Sequence, residues 1–204
     1  MKDSRYVRTL DTLGSGDVGL VGGKNASLGE MIANLGSAGV RVPEGFATTA
    51  QAYREFLEAN GLPDAMRTEL QKLERGAQGL AETGRRIRTR FLEGEFPPAI
   101  GREITQAYAE LAQRIGTDDA DVAVRSSATA EDLPEASFAG QQETYLNVRG
   151  GDAVLDACRR CFASLFTDRA ISYRENNGFD HLEVALSVGV QRMVRSDRGG
   201  SGVM

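Results

Sequence analysis

Residues 122–148 read VAVRSSATAEDLPEASFAGQQETYLNV, and their pattern decides the architecture. Val122 to Val124 is a short run bounded by β-branched residues, the mark of a buried strand. It delivers Arg125 into a set of small hydroxyl residues, Ser126, Ser127 and Thr129. A polar loop interrupted by Pro134 follows, and Thr144 to Val148 reads as a second strand. A strand that leads an arginine into hydroxyl-rich chain suits a polyanion, because guanidinium and hydroxyl groups together can surround phosphate oxygens.

On either side of this stretch the periodicity is mostly helical. Residues 14–23 are dense in glycine and lead into a helix whose Leu28, Met31, Ile32 and Leu35 form one apolar stripe, ended by Gly36 and Gly39. Residues 40–47 read as a short strand and turn, punctuated by Pro43 and Gly45. Thr48 or Thr49 caps a helix bearing Ala52, Tyr53, Phe56 and Leu57, stopped by Gly61. From about 62 to 116 the chain is helical and highly charged. Within it Pro97 and Pro98 separate two helices, the second burying Ile100, Ile104, Ala107, Tyr108, Leu111 and Ile115. Residues 117–121 form an acidic turn that reads as a solvated loop, not a metal site.

Downstream, Asp152 is a candidate cap for a long helix through Val154, Leu155, Cys158, Phe162, Leu165 and Phe166, and a second helix over 169–176 ends near Gly178. Val184 to Val194 alternates in polarity, which predicts a half-buried strand. Gly202 to Met204 looks like the start of a partner strand, so the chain reads as truncated. Strands interleaved with helices and a separate helical stretch predict an α+β fold.

Composition bounds the function classes. The chain has 204 residues, 41% hydrophobic and 26% charged, as an ordinary globular protein does. A net charge of −5 argues against general nucleic-acid binding, which favours a basic face. No apolar run approaches the roughly 18 residues of a membrane span, and no secretory signal opens the sequence. A cytoplasmic address is the expectation. Cys158-Arg-Arg-Cys161 matches the C-x-x-C pattern, but zinc needs two more ligands and His181 is the one histidine. Two reduced cysteines packed inside a helix are the expectation.

Lys24 stands where the glycine-rich turn enters a helix, and helix N-termini with an added ammonium attract phosphate. Gly14-Ser-Gly-Asp-Val-Gly19 fits G-x-G-x-x-G by letter, but no convincing strand precedes it and the helix starts several residues late. Gly22-Gly-Lys-Asn25 resembles a P-loop but has Val18 where the first glycine belongs and Asn25 in place of Ser or Thr. The residues alone leave a structural turn with an exposed lysine equally open. Arg125 needs an anion, either phosphate or a carboxylate such as Glu131, Asp132 or Glu143. Ser126, Ser127 and Thr129 orient phosphates or cap the next turn. Gly140 permits close ligand approach or a strained turn. Gln191 reads an adenine edge or is an ordinary polar residue on a sheet. His181 lacks the surroundings of a phosphoryl carrier.

These motifs also carry a resemblance. Residues 21–31 (VGGKNASLGEM), 122–148, 190–197 (VQRMVRSD) and 201–204 (SGVM) resemble the nucleotide-binding part of the phosphoenolpyruvate synthase/pyruvate, phosphate dikinase family. The likeness spans nearly the whole chain. Rifampicin phosphotransferases share Ser-Phe-Ala-Gly-Gln-Gln at 137–142, and the C-terminal motifs look more like the synthase branch.

The resemblance implies that residues 1–204 are the N-terminal part of an ATP-grasp-like domain, with a mixed sheet and a helical insertion at about 62–116. It implies that Lys24 and Arg125 hold ATP phosphates, that Gly140 and Thr144 line the nucleotide site, and that Gln191 contacts the nucleotide. The implied overall reaction is ATP, pyruvate and water to AMP, phosphoenolpyruvate and phosphate. It runs through a histidine on a swivelling domain and a pyruvate-binding barrel, neither of them within residues 1–204. Mg²⁺ is implied with its ligands beyond residue 204, so no catalytic or metal-binding residue is expected in this chain, which alone should be inactive. A homo-oligomer is an expectation for a longer protein. The alternatives are an antibiotic kinase of the same architecture and a catalytically silent nucleotide-binding module.

Overall fold

The computed structural model describes residues 4–129 and 143–194. Among these residues five strands form one sheet in the order β1-β2-β5-β3-β4, where β1 is Val7–Thr9, β2 Gly45–Thr48, β3 Val122–Ala128, β4 Thr144–Val148 and β5 Leu186–Arg192. Every pairing among the described residues is antiparallel, which corrects the expected mixed sheet. The described architecture is helices packed on an antiparallel sheet.

Among the described residues seven α-helices accompany it: α1 Val18–Leu35, α2 Ala50–Ala59, α3 Leu62–Glu74, α4 Leu80–Glu93, α5 Pro98–Ile115, α6 Gly151–Ser164 and α7 Asp168–Asn177. Their boundaries follow local chemistry. Thr49 caps α2 by accepting the Ala52 N–H, and Thr167 caps α7 through the Ala170 N–H; each such bond satisfies one of the four unpaired donors of a first turn. Asp152 does not cap α6. Gly150 takes that position and Asp152 falls inside the first turn, where its charge meets the positive end of the helix dipole.

Strand alternation gives the sheet two coverings. Phe46, Val122, Val124, Val188 and Val190 face the main core, built with α2 to α6 and an aromatic cluster of Tyr53, Phe56, Phe91, Phe96, Phe162 and Phe166. Ala47 on the opposite face joins Leu10, Leu13, Val21 and Ala26 in a smaller core beneath α1. Because β5 lies between β2 and β3 and is covered on both faces, Leu186 through Val190 are all buried. The expected half-buried strand is therefore a central buried one. Its Ser and Gly positions mark the close approach of α1 through the Asn25 side chain, not exposure to water.

The expected stripe on α1 holds in part: Leu28 and Ile32 pack against the smaller core, and the other two members do not. Met31 and Leu35 are exposed, at 43% and 40%, while Val21, Ala26 and Gly29 are buried. Small residues do this work because α1 also lies close to the segment after β1: a Cβ on Gly29 would stand 2.3 Å from the Leu13 carbonyl oxygen. Cys158 and Cys161 are buried and unbridged. Burial pushes the Cys158 thiol up to about 12 and raises that of Cys161 as well. Among the described residues no helix is long and apolar enough to cross a membrane.

Candidate functional site

The site is assembled where α1 crosses the seam between β3 and β5. Helix α1 is broken at Gly22, whose φ of 75° and ψ of 159° are non-helical, so that a new helical turn begins at Gly23 and carries Lys24 and Asn25. Glycine is required at the break: φ is positive, and a Cβ would lie 2.3 Å from Ser127 Oγ and 2.6 Å from the Ser127 carbonyl oxygen. The glycine-rich run is thus the hinge that sets a helix N-terminus directly on β3.

On β3, Arg125 and Ser127 point to this same face, being two residues apart. Register places Arg125 opposite Thr144 on β4 and opposite Gly189 on β5. A bulge sets the first pairing. Val122 faces Val148 but Val124 faces Tyr145, and the extra residue is absorbed near Asn147, which adopts φ 57°. Asparagine is among the few non-glycine residues that take this conformation readily.

A small pocket of about 110 Å³ lies here, lined by Leu10, Asn25, Leu28, Ala123, Arg125, Thr144, Gly189 and Gln191. Three of the expected site residues, Arg125, Thr144 and Gln191, are therefore brought together. Lys24 is adjacent in sequence to the lining residue Asn25 and is half-buried. Gly140 lies outside the described residues, as do Glu131 and Asp132. Glu143 lines a different cleft, with Tyr145, Arg88 and Arg160. Gln191 donates its Nε2–H to the Pro43 carbonyl at 3.0 Å, so an adenine edge reading that N–H would have to displace it.

Sequence reasoning missed Asn25 and Gly189 as pocket residues. Asn25 directly follows Lys24 in the Gly-Gly-Lys-Asn run, and Gly189 is a glycine inside a strand, which commonly marks a close approach. Those were the available signals. Two buried polar atoms at this junction, Asn25 Oδ1 and Ser127 Oγ, have no hydrogen-bond partner among the described residues.

The lining chemistry suits an anion. A guanidinium, a hydroxyl and the second N–H of Gln191 offer donors, and a helix start stands alongside. It does not suit a divalent cation, which takes oxygen ligands, chiefly carboxylates. No group of three or more His, Cys, Asp or Glu residues placed to hold a metal occurs among the described residues. His181 is held elsewhere: its Nδ1 accepts from Arg174 Nε at 2.9 Å, and its Nε2 lies 2.6 Å from Glu175 Oε1.

Comparison with known proteins adds an independent line. The family described as "Pyruvate phosphate dikinase, AMP/ATP-binding domain" matches residues 18–204. The chain is 62% identical over 200 residues to a phosphoenolpyruvate synthase of Pseudomonas aeruginosa, covering 98% of this chain and 25% of the relative. It is 55% identical over 208 residues to one of Synechocystis sp., covering 100% and 25%, and 56% identical over 202 residues to one of Escherichia coli, covering 98% and 25%. The chain spans about a quarter of the length of these curated relatives. By this match and by the motifs that meet at the break in α1, the chain belongs to the pyruvate phosphate dikinase AMP/ATP-binding domain family.

Proposed function

We propose that the chain is the nucleotide-binding part of a phosphoenolpyruvate synthase, an ATP-grasp-like unit spanning residues 1–204 with its helical subregion at about 62–116. In this reading the pocket at the β3–β5 seam grips the phosphate end of ATP. The observation that carries it is the convergence of Arg125, Thr144 and Gln191 on one pocket beside the helix start bearing Lys24. At about 110 Å³ the pocket is phosphate-sized; whole-ligand sites run to roughly 300–1,000 Å³.

Arg125 supplies a planar fork of donors for phosphate oxygens, Lys24 a point charge, and Thr144 a hydroxyl. Gly140 and Gln191 complete the proposed nucleotide contacts. Phosphoryl-transfer catalysis is mostly positioning and charge neutralisation, which is the work these residues can do. The described residues offer no carboxylate cluster for Mg²⁺, so no step is assigned to a metal here.

The complete reaction, from ATP, pyruvate and water to AMP, phosphoenolpyruvate and phosphate, belongs to a longer protein with a carrier histidine and a pyruvate site. The synthase names and identities of 55% to 62% weigh against the antibiotic-kinase reading. Calorimetric titration with ATP tests the proposal: Arg125→Ala should weaken binding by roughly ten-fold or more, from the loss of charge-assisted hydrogen bonds, at nearly unchanged melting temperature. Unfolding of the variant, with ATP affinity intact per folded molecule, would assign Arg125 to a structural ion pair instead.

A further inference from the structure

We infer that Asn25 is a positioning residue: its buried amide pins the helical turn that carries Lys24 to the β2–β5 seam, and so sets the phosphate-gripping geometry of the Arg125 pocket. The inference rests on the nucleotide-binding reading above.

Asparagine is a poor residue for a helix, yet Asn25 lies just inside one and is only 1% exposed. Both hydrogens of its Nδ2 are used. One goes to the Val21 carbonyl at 3.0 Å, bridging the break at Gly22 from the new turn back to the old. The other goes to Ser187 Oγ on β5 at 2.9 Å. Ser187 Oγ in turn donates to the Thr48 carbonyl at 2.6 Å, and Thr48 Oγ1 accepts the Val188 N–H at 2.9 Å. A buried polar chain therefore runs from α1 through β5 to β2. It is the kind of network that fixes one arrangement in a low-dielectric interior.

Stability does not account for this amide. Oδ1 lacks a partner among the described residues, and a buried unsatisfied acceptor is costly, whereas an apolar side chain there would avoid that cost. The amide also dictates its surroundings, since a Cβ on Gly189 would fall 2.3 Å from Oδ1. What the arrangement secures is the placement of the Gly23–Asn25 turn. That turn carries Lys24 next in sequence to Asn25, which itself lines the pocket.

Titration of the chain with ATP and with adenosine tests the assignment. In Asn25→Ala, ATP affinity should fall about ten-fold while adenosine affinity changes by less than about two-fold. In a Lys24→Ala background, Asn25→Ala should cost less than about a further two-fold in ATP affinity, because both act on one turn. Equal losses for ATP and adenosine, or fully additive losses, overturn the role. Should Asn25→Ala fail to fold, Ser187→Ala removes the acceptor of Asn25 together with the Ser187 hydrogen bond to the Thr48 carbonyl, leaving the Asn25 side chain in place. It should show the same ATP-selective loss at roughly three-fold, and unchanged ATP affinity there would contradict the tether. A parent chain that binds no ATP refutes the nucleotide reading itself. A parent that binds ATP, with variants that match it, refutes only the role of Asn25.

Discussion

Arg125 on β3 and Thr144 on β4 stand directly opposite each other in antiparallel register, and both line the pocket beneath the break in α1. This places a cation and a hydroxyl on one face at a spacing of about 5 Å between Cβ atoms, a separation that one phosphate group can bridge. The bulge near Asn147 makes the pairing possible: without its extra residue Arg125 would face the neighbour of Thr144.

Thr144 is exposed, so its hydroxyl has little structural work. Thr144→Val should leave thermal stability nearly unchanged and weaken ATP binding by roughly five-fold, the worth of about 1 kcal/mol for one hydrogen bond. Parallel melting and ATP titration check this. A variant that binds ATP as the parent does would remove Thr144 from the site.

Gly189 lies opposite Arg125 on the other flank, beneath Asn25. Because a Cβ would meet Asn25 Oδ1 at 2.3 Å, Gly189→Ala should destabilise the fold by roughly 2 kcal/mol through overpacking. Urea denaturation measures it. A neutral effect would mean that α1 can lift from the sheet at little cost.

Much of this arrangement was legible in the residues. β3 and β4 begin where the β-branched pattern and Thr144 place them, and Thr49 and Gly61 mark the α2 boundaries through capping and positive φ. Arg125, Thr144 and Gln191 were singled out separately, and register brings them together. The face presented by α1 was legible only in part. Period places Leu28 and Ile32 inward, yet close approach to β3 and to Leu13 selects Gly22 and Gly29, leaving Met31 and Leu35 exposed. The burial of β5 escaped for a related reason. Ser187 and Gly189 look like a solvent-facing set, and only the tertiary cover of α1 shows otherwise.

Arg174 is a buried cation, and desolvation by burial lowers its guanidinium to about 10, which still leaves it charged near neutral pH. It donates Nη2–H to the Leu165 carbonyl at 2.6 Å and Nε–H to His181 Nδ1, and lies over the Phe166 ring at 5.1 Å. Arg174→Ala should cost about 3 kcal/mol in chemical denaturation, since it leaves a buried carbonyl unpaired and opens a void. A loss below about 0.5 kcal/mol, the range of surface substitutions, would contradict a structural role for the Arg174–His181 pair.

Cys158 and Cys161 are buried thiols whose ionisation is suppressed by desolvation. Thiolate is the reactive form, so both should resist iodoacetamide at pH 8 in the native state and react readily in denaturant. Rapid native labelling of either would contradict their packing role.

The most direct test of the phosphate pocket is residue-resolved amide chemical-shift mapping during ATP titration. The account predicts shifts centred on Gly22 to Asn25, Ala123 to Ser127, Thr144 and Gly189 to Gln191, those at Gly22 to Asn25 and Ala123 to Ser127 reproduced by inorganic triphosphate and not by adenosine. Shifts centred instead on the 490 Å³ cleft between α3 and His181 would contradict it.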